Sequence, residues 1–252
     1  MKQLKEMTKA NIENRPPSQI CTHCASTIEP FFIETIGWKF PSVCPPCDQE
    51  LTEKEQKITS QKELHDLLQK SGLKGKLLTH AFSNFKHSES PQVFQLAKSY
   101  AITFITPDVH HGLMLFGKTG TGKTHLACAI ANHIINQNRI SVKFIKSIDL
   151  LFQIRRAMNI NTDEELKFIE QLANCPLLII DDLGSEKITD WAQQVFYKII
   201  DDRDILGKPI IITTNIDIRD LANRIGERTA SRLASMCKLV AMSSKDYRLK
   251  TK

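Results

Sequence analysis

The sequence predicts an α/β fold: a parallel five-stranded sheet flanked by helices, preceded by a small cysteine-rich module and a linker helix. Three observations carry this expectation. From about residue 77 onward, short apolar runs alternate with helical stretches, the pattern of strands buried on both faces by crossover helices. A glycine-rich loop stands between the first of those strands and the helix that comes after it. Before residue 50, four cysteines fall in a stretch without helical periodicity that holds Pro16-Pro17, Pro41 and Pro45-Pro46.

The chain has 252 residues, enough for one full domain and a smaller module. Hydrophobic residues make up 41% and charged residues 25%, ordinary for a globular protein. No apolar run reaches the ~18–20 residues that span a bilayer. The first nine residues, Met1 to Lys9, are charged with no apolar stretch behind them, so a secretory signal is not expected and a cytoplasmic location follows. A net charge of +6 permits a nucleic-acid partner without demanding one.

The expected strands are Leu113–Phe116, Ser141–Ile145, Leu177–Ile180, Ile210–Thr213 and Leu239–Met242. Helices are expected from Gly122 to about Gln137, from near Ser147, from near Thr162 and from Trp191 to Arg203. At Thr162 the run Thr-Asp-Glu-Glu165 fits a capping box, and Gly207 and Pro209 stop the last helix. Leu51 to Leu73 is charged and breaker-free, with Ile58, Leu64, Leu67 and Leu68 at helical spacing, and reads as a connecting helix. The domain expectation is therefore a module over 1–50, a linker over 51–76 and an α/β domain over 77–252.

The run Gly117-Lys118-Thr119-Gly120-Thr121-Gly122-Lys123-Thr124 matches G-x-x-x-x-G-K-[ST], and His125 comes next in the first turn of its helix. Glycines let backbone N–H groups turn inward around a phosphate, and a helix N-terminus adds donors and a favourable dipole. Lys123 is expected on the β- and γ-phosphates of ATP and the Thr124 hydroxyl on magnesium. A second apolar run, Leu177–Ile180, ends in Asp181-Asp182. Asp181 is expected to hold magnesium and Asp182 to orient or deprotonate the attacking water, although one of the pair could simply cap the turn before Gly184. A third run, Ile210 to Asn215, ends at the same sheet edge and places Asn215 to position the water or the γ-phosphate, with an ordinary turn asparagine as the alternative.

These segments, Gly112-Leu-Met-Leu-Phe-Gly to Lys-Thr-His-Leu-Ala127, Leu-Ile-Ile-Asp-Asp-Leu-Gly184 and Thr-Thr-Asn215, closely resemble the AAA+ P-loop ATPases of the DnaC/DnaI helicase-loader and IstB transposition-helper group. Gly226-Glu-Arg-Thr-Ala-Ser-Arg-Leu233 resembles that group's box VII, and Ala81 to Phe85 its lead-in. The resemblance covers about Leu77 to Tyr247. It implies self-assembly, with Arg232 as an arginine finger reaching a neighbouring subunit's ATP and Arg228 one turn before it; in water both are merely a basic helix face. It also implies single-stranded DNA contact through Lys143, Phe144, Lys146, Arg155 and Arg156, a set that suits backbone tracking and stacking, although Phe144 lies on a strand where core packing is the commoner fate. Only 20 residues follow Arg232, so no helical lid is expected.

Cys21-x-x-Cys24 and Cys44-x-x-Cys47 stand nineteen residues apart, spacing that suits a closed, structural tetrahedral zinc site. Disulfides are the alternative, and His23 is not expected to be a ligand. Cys128, Cys175 and Cys237 lie singly in apolar stretches and read as small buried hydrophobes. DnaI-type loaders carry an N-terminal zinc module that docks on the replicative ring helicase, which favours a helicase loader acting in replication initiation. Two alternatives stay open: a transposition helper acting with a transposase on duplex DNA, and a zinc-anchored adaptor that uses ATP as a binding switch.

Overall fold

The computed structural model describes residues 15–33, 35–85, 90–105, 111–160, 162–185 and 188–243. The chain divides into two compact units, Met1–Glu63 and Leu64–Lys252. Expectations about the first residues and about residues 244–252, where a lid was not expected, lie outside the described residues. Among the described residues no helix is long and apolar enough to cross a membrane.

In the first unit, β1 (Gln19–Ile20) pairs antiparallel with β2 (Thr27–Ile28), and β3 (Phe31–Ile33) with β4 (Gly37–Lys39). The loop-rich stretch expected over residues 1–50 thus holds two short hairpins, each strand too short to show an alternating pattern. Its buried core is small: Cys21, Ile28, Cys44 and Cys47, with Val43 against them. Helix α1 (Pro45–Lys70) begins before the expected Leu51 because Pro45 and Pro46, which lack an N–H, fit a first helical turn. The division between the units, at Glu63 and Leu64, falls inside this helix.

In the second unit α1 ends on Leu64, Leu67 and Leu68, which pack against the main core. Five parallel strands come after it: β5 (Gly112–Phe116), β6 (Val142–Lys146), β7 (Leu177–Asp181), β8 (Ile210–Thr214) and β9 (Cys237–Ala241), in the order β6-β7-β8-β5-β9. Each lies within two residues of its expected place. Alternate residues serve opposite faces, as the two-residue period of a strand requires. Leu113, Leu115, Leu177 and Ile179 face one core, shared with α2 (Pro91–Thr103) and α3 (Lys123–His133). Met114, Leu178, Ile180 and Ile212 face the other. That core is closed by α4 (Ser147–Met158), α5 (Thr162–Asn174), α6 (Asp190–Ile205), α7 (Ile218–Ile225) and α8 (Glu227–Met236).

Helix α2 has no counterpart among the expected helices. It buries Phe94, Ala97 and Ala101, a narrow stripe in a run of otherwise mixed residues. Helix α3 runs on through a single π turn, Ile134–Asn138, matching the expected end near Gln137. Helix α5 begins at Thr162 as expected, although the side chain of its expected capping box lies outside the described residues.

Two buried features fix the helices to the sheet. The link after α1 runs along the β6 edge, where the Phe144 N–H donates to the Ser71 carbonyl at 2.6 Å. Gly72 sits there with φ +82°, and a Cβ would stand 2.3 Å from the Phe144 carbonyl oxygen, so only glycine fits. Arg203 on α6 is fully buried. It donates to the carbonyls of Leu172 (2.7 Å), Ala173 (3.0 Å) and Cys175 (2.9 Å) at the end of α5, and to that of Pro209 (2.5 Å) before β8. A cation at a helix C-terminus satisfies carbonyls that have no partner within the helix. Replacing Arg203 by methionine leaves these acceptors unpaired, and urea denaturation should show a loss of roughly 3–5 kcal/mol.

Candidate nucleotide and metal sites

In an open parallel sheet, ligands bind in the crevice beyond the C-terminal ends of the strands, where the order reverses. Here β5 feeds the loop Gly117–Gly122 into α3, between β8 and β9. Gly117 has φ +144°, and a Cβ would meet the Met242 carbonyl oxygen at 2.2 Å, so this strand-to-loop turn accepts only glycine. Lys123 is buried and folds back over the loop, donating to the carbonyls of Gly117 (2.7 Å) and Lys118 (2.8 Å). The Thr121 hydroxyl donates to Lys118 O at 2.9 Å and closes the turn.

Three strand ends converge on this loop. Asp181, last residue of β7 and buried, accepts through one carboxylate oxygen from the Thr124 hydroxyl (2.8 Å) and from the Thr213 hydroxyl on β8 (2.7 Å). Thr213 in turn accepts the Asp182 N–H at 2.8 Å. Asp182 holds a left-handed φ of +59°, a conformation few residues other than glycine adopt and one that clusters at functional sites. Its carboxylate accepts from the Asn215 side-chain amide at 2.5 Å. Asn215 is therefore tied to the second aspartate, which an ordinary turn asparagine would not require. Burial pushes the Asp181 carboxyl above the usual aspartate range, against the pull of the Thr213 and Thr124 hydroxyls; the charge of Asp182 raises it further and that of Lys146 lowers it.

The resulting cleft, about 630 Å³, is lined by Thr119, Gly120, Gly122, Lys123, Thr124 and His125 on one side and by Lys146, Asp181, Asp182, Thr213 and Asn215 on another. The expected phosphate and magnesium residues are thus brought together. A third wall was missed from sequence: Leu77, His80, Asn84 and Phe85. The His80 and His125 rings stack there at 4.3 Å between centroids, and His125 contacts the Ala81 carbonyl at 3.1 Å. Burial keeps both imidazoles below the ordinary histidine range. Asn132 on α3 holds this wall by donating to Leu77 O (2.9 Å) and His80 O (2.8 Å). The lead-in Ala81–Phe85 was the available signal. Thr213 had no sequence signal beyond its place at a strand end.

Several expected residues lie elsewhere. Phe144 is 4% exposed and packs in the core, on the same face of β6 as Val142, while Ile145 packs in the opposite core; it corrects the expectation of a stacking residue. Lys143 lies along the α1 terminus, its ammonium 3.4 Å from Lys70 O. Lys146 belongs to the nucleotide cleft. Arg155 stacks over Trp191 at 4.8 Å, and Arg156 is exposed beside it. Phe152, 62% exposed, and Ile148 share their helix with these arginines. Arg228 and Arg232 line a separate recess with Tyr197, Asp204, Ser231 and Ser235.

In the first unit the four sulfurs of Cys21, Cys24, Cys44 and Cys47 lie within 4.8 Å of one another, and all seven described cysteines are free thiols. A tetrahedral ion with zinc–sulfur distances of about 2.3 Å sets sulfurs about 3.8 Å apart, so the cluster is the right size. The N–H groups of Cys44 (3.3 Å) and His23 (3.4 Å) donate to the Cys21 sulfur, which lets a thiolate form there. The first of these, with the other donors, lowers the Cys21 thiol to about 6, while the hydrogen bond with Cys24 and the other sulfurs push Cys47 well up. Four sulfurs at this spacing cannot all ionise without a cation among them.

A phosphate loop after β5, a buried aspartate at the end of β7 and a polar residue beyond β8, the strand between them, define an AAA+ P-loop nucleotide-binding protein. More narrowly, the chain belongs to the IstB-like ATP-binding proteins, whose family matches residues 48–252. It is 29% identical over 175 residues to a replicative helicase loader DnaC of Buchnera aphidicola subsp. Baizongia pistaciae, covering 68% of this chain and 70% of that one. The crystal structure of a DnaC helicase loader matches at 30% identity and a TM-score of 0.62, over 68% of this chain and all of that one. A DnaI structure at 21% identity, with a TM-score of 0.59 over 68% of this chain and 92% of that one, shares the fold.

The raised Asp181 has a consequence for stability. An aspartate whose folded pKa exceeds the unfolded value of ~3.9 adds no cost below that pH and an increasing cost as pH rises through its folded pKa. Asp181→Asn keeps an acceptor for both threonines and removes the charge. In metal-free buffer its melting temperature should exceed the parent's at pH 7 and converge with it near pH 4.

Proposed function

We propose that the chain is a magnesium-dependent ATPase of the helicase-loader type, which binds single-stranded DNA and delivers a replicative ring helicase. The observation that carries this reading is the convergence of Lys123, Thr124, Asp181, Asp182 and Asn215 on one cleft, in a chain that resembles a helicase-loader structure over that structure's full length.

The loop Gly117–Gly122 would surround the β-phosphate of ATP with backbone donors, and Lys123 would exchange its two carbonyl contacts for phosphate oxygens. Thr124 and Asp181 would hold magnesium, which when bound neutralises phosphate charge. Asp182, held by Asn215, orients the attacking water and accepts its proton. The wall of Leu77, His80, Asn84 and Phe85, with His125, takes the base. Arg155 and Arg156 offer charge to a DNA backbone, and exposed Phe152 supplies the stacking face that buried Phe144 cannot. The four cysteines hold a structural zinc, and their module is the docking element for the helicase. Assembly of subunits brings Arg232, or Arg228 beside it, to a neighbour's ATP. A cytoplasmic setting belongs to the same reading.

The transposition-helper reading rests on the family's IstB-like description, whereas the individual relatives named above are helicase loaders. ATP turnover stimulated by a ring helicase and single-stranded DNA supports the loader; stimulation by a transposase on duplex DNA reverses the choice. Binding of ATP without turnover leaves the adaptor.

Lys123→Ala should weaken binding of a fluorescent ATP analogue by roughly 100-fold or more, since two charge-assisted contacts are lost; unchanged affinity removes the phosphate-site assignment. Metal analysis of protein purified under reducing conditions should give one zinc per chain. Cys21→Ser should lose it together with the protease resistance of the first unit, because metal binding of about 10–16 kcal/mol supplies what a core of four residues cannot.

A further inference from the structure

Helices α6 and α8 meet at a charged cluster that the nucleotide cleft does not use. Arg232 reaches from α8 to α6, where its guanidinium stands 2.9 Å from an Asp204 carboxylate oxygen and 2.5 Å from one of Asp201. It also donates to the Tyr197 hydroxyl at 3.3 Å, and its Cζ lies 5.5 Å from the centre of that ring. Tyr197, Asp201 and Asp204 fall at i, i+4 and i+7, one face of α6. Arg228, one turn earlier on α8, is exposed and makes no ion pair among the described residues. A residue that acts on a neighbouring subunit's phosphate must turn its guanidinium outward, and that of Arg232 is engaged within its own chain.

We propose that Asp201, Asp204 and Tyr197 form a latch that holds Arg232 in its own subunit, and that assembly opens the latch by exchanging carboxylate oxygens for the phosphate oxygens of a neighbour's ATP. This rests on Arg232 acting in trans, and adds how that action is restrained. Two features of the cluster fit restraint better than simple support. A structural ion pair needs one acid, whereas two acids about one arginine leave a net negative charge that repels an approaching phosphate while the latch is closed. The side chain of Arg232 is also 34% exposed, and partly exposed pairs are weak enough to exchange. The planar fork that grips two carboxylates can take phosphate oxygens in the same way. The closed latch therefore lowers the fraction of chains whose arginine is ready, and makes turnover depend more steeply on assembly.

The test measures ATP turnover against protein concentration with single-stranded DNA present, for the parent, Asp201→Asn/Asp204→Asn, Tyr197→Phe and Arg232→Ala. The double variant should reach half-maximal turnover at a protein concentration about threefold to tenfold lower, the scale of two partly exposed pairs. Tyr197→Phe should shift the same way by less, and both gains should vanish when Arg232→Ala is added. ATP affinity of the isolated chain should not change. If Arg232→Ala loses turnover while neither variant lowers the concentration needed, the acids position the arginine and the latch is overturned. If Arg232→Ala keeps the parent's turnover, the trans reading itself fails and the latch with it. Thermal denaturation establishes that the double variant is folded; should it not be, Tyr197→Phe decides alone.

Discussion

One carboxylate organises the nucleotide cleft. Asp181 ends β7, and the two hydroxyls it accepts come from the helix after the phosphate loop and from the neighbouring strand. Because Thr213 also takes the Asp182 N–H, the positions of both aspartates follow from a single threonine at the end of β8. The hydrogen bonds only partly offset the removal of this charge from water. The cleft thus holds a buried carboxylate whose charge is incompletely compensated, the arrangement that a divalent cation beside it would relieve. Binding competence and the stability of the empty fold pull in opposite directions at this residue.

The cysteine module shows the same tension without an enzyme site. Its four thiols lie within 4.8 Å of one another, in a unit whose buried side chains are largely those cysteines, and as thiolates they would need a cation among them. Cys128 and Cys237 are the opposite case. Each is buried alone, and desolvation raises its thiol, to about 12 for Cys237, so both remain neutral packing groups. The same residue type therefore serves two ends, set by how many lie together.

The sheet and the phosphate loop were legible because their signals are local: glycine spacing in Gly117–Thr124, and an apolar run closed by acids in Leu177–Asp182. Strands of two or three residues, such as Gln19–Ile20, are too short to carry a period. Pro45-Pro46 looked like a break and instead opened a helix. The face of Phe144 depends on the register of β6 beside β7, which no local pattern states. Most of what was missed is a matter of distance along the chain. Asn132 holds carbonyls more than fifty residues earlier, and the partners of Arg232 lie on another helix. The third wall of the cleft comes from a segment whose 3₁₀ turns, Gly75–Thr79 and Phe82–Asn84, have no apolar period.

The link after α1 has a further effect on the sheet. An outermost strand ordinarily offers a row of unused N–H and C=O groups on which another chain can grow. On β6 the Phe144 N–H is already taken by Ser71, and Gly72 lies so close to the Phe144 carbonyl that not even a methyl group fits between them. Strand addition from a second molecule is blocked at Phe144. The backbone at that point of the sheet margin is committed within the chain, and a second strand cannot use it.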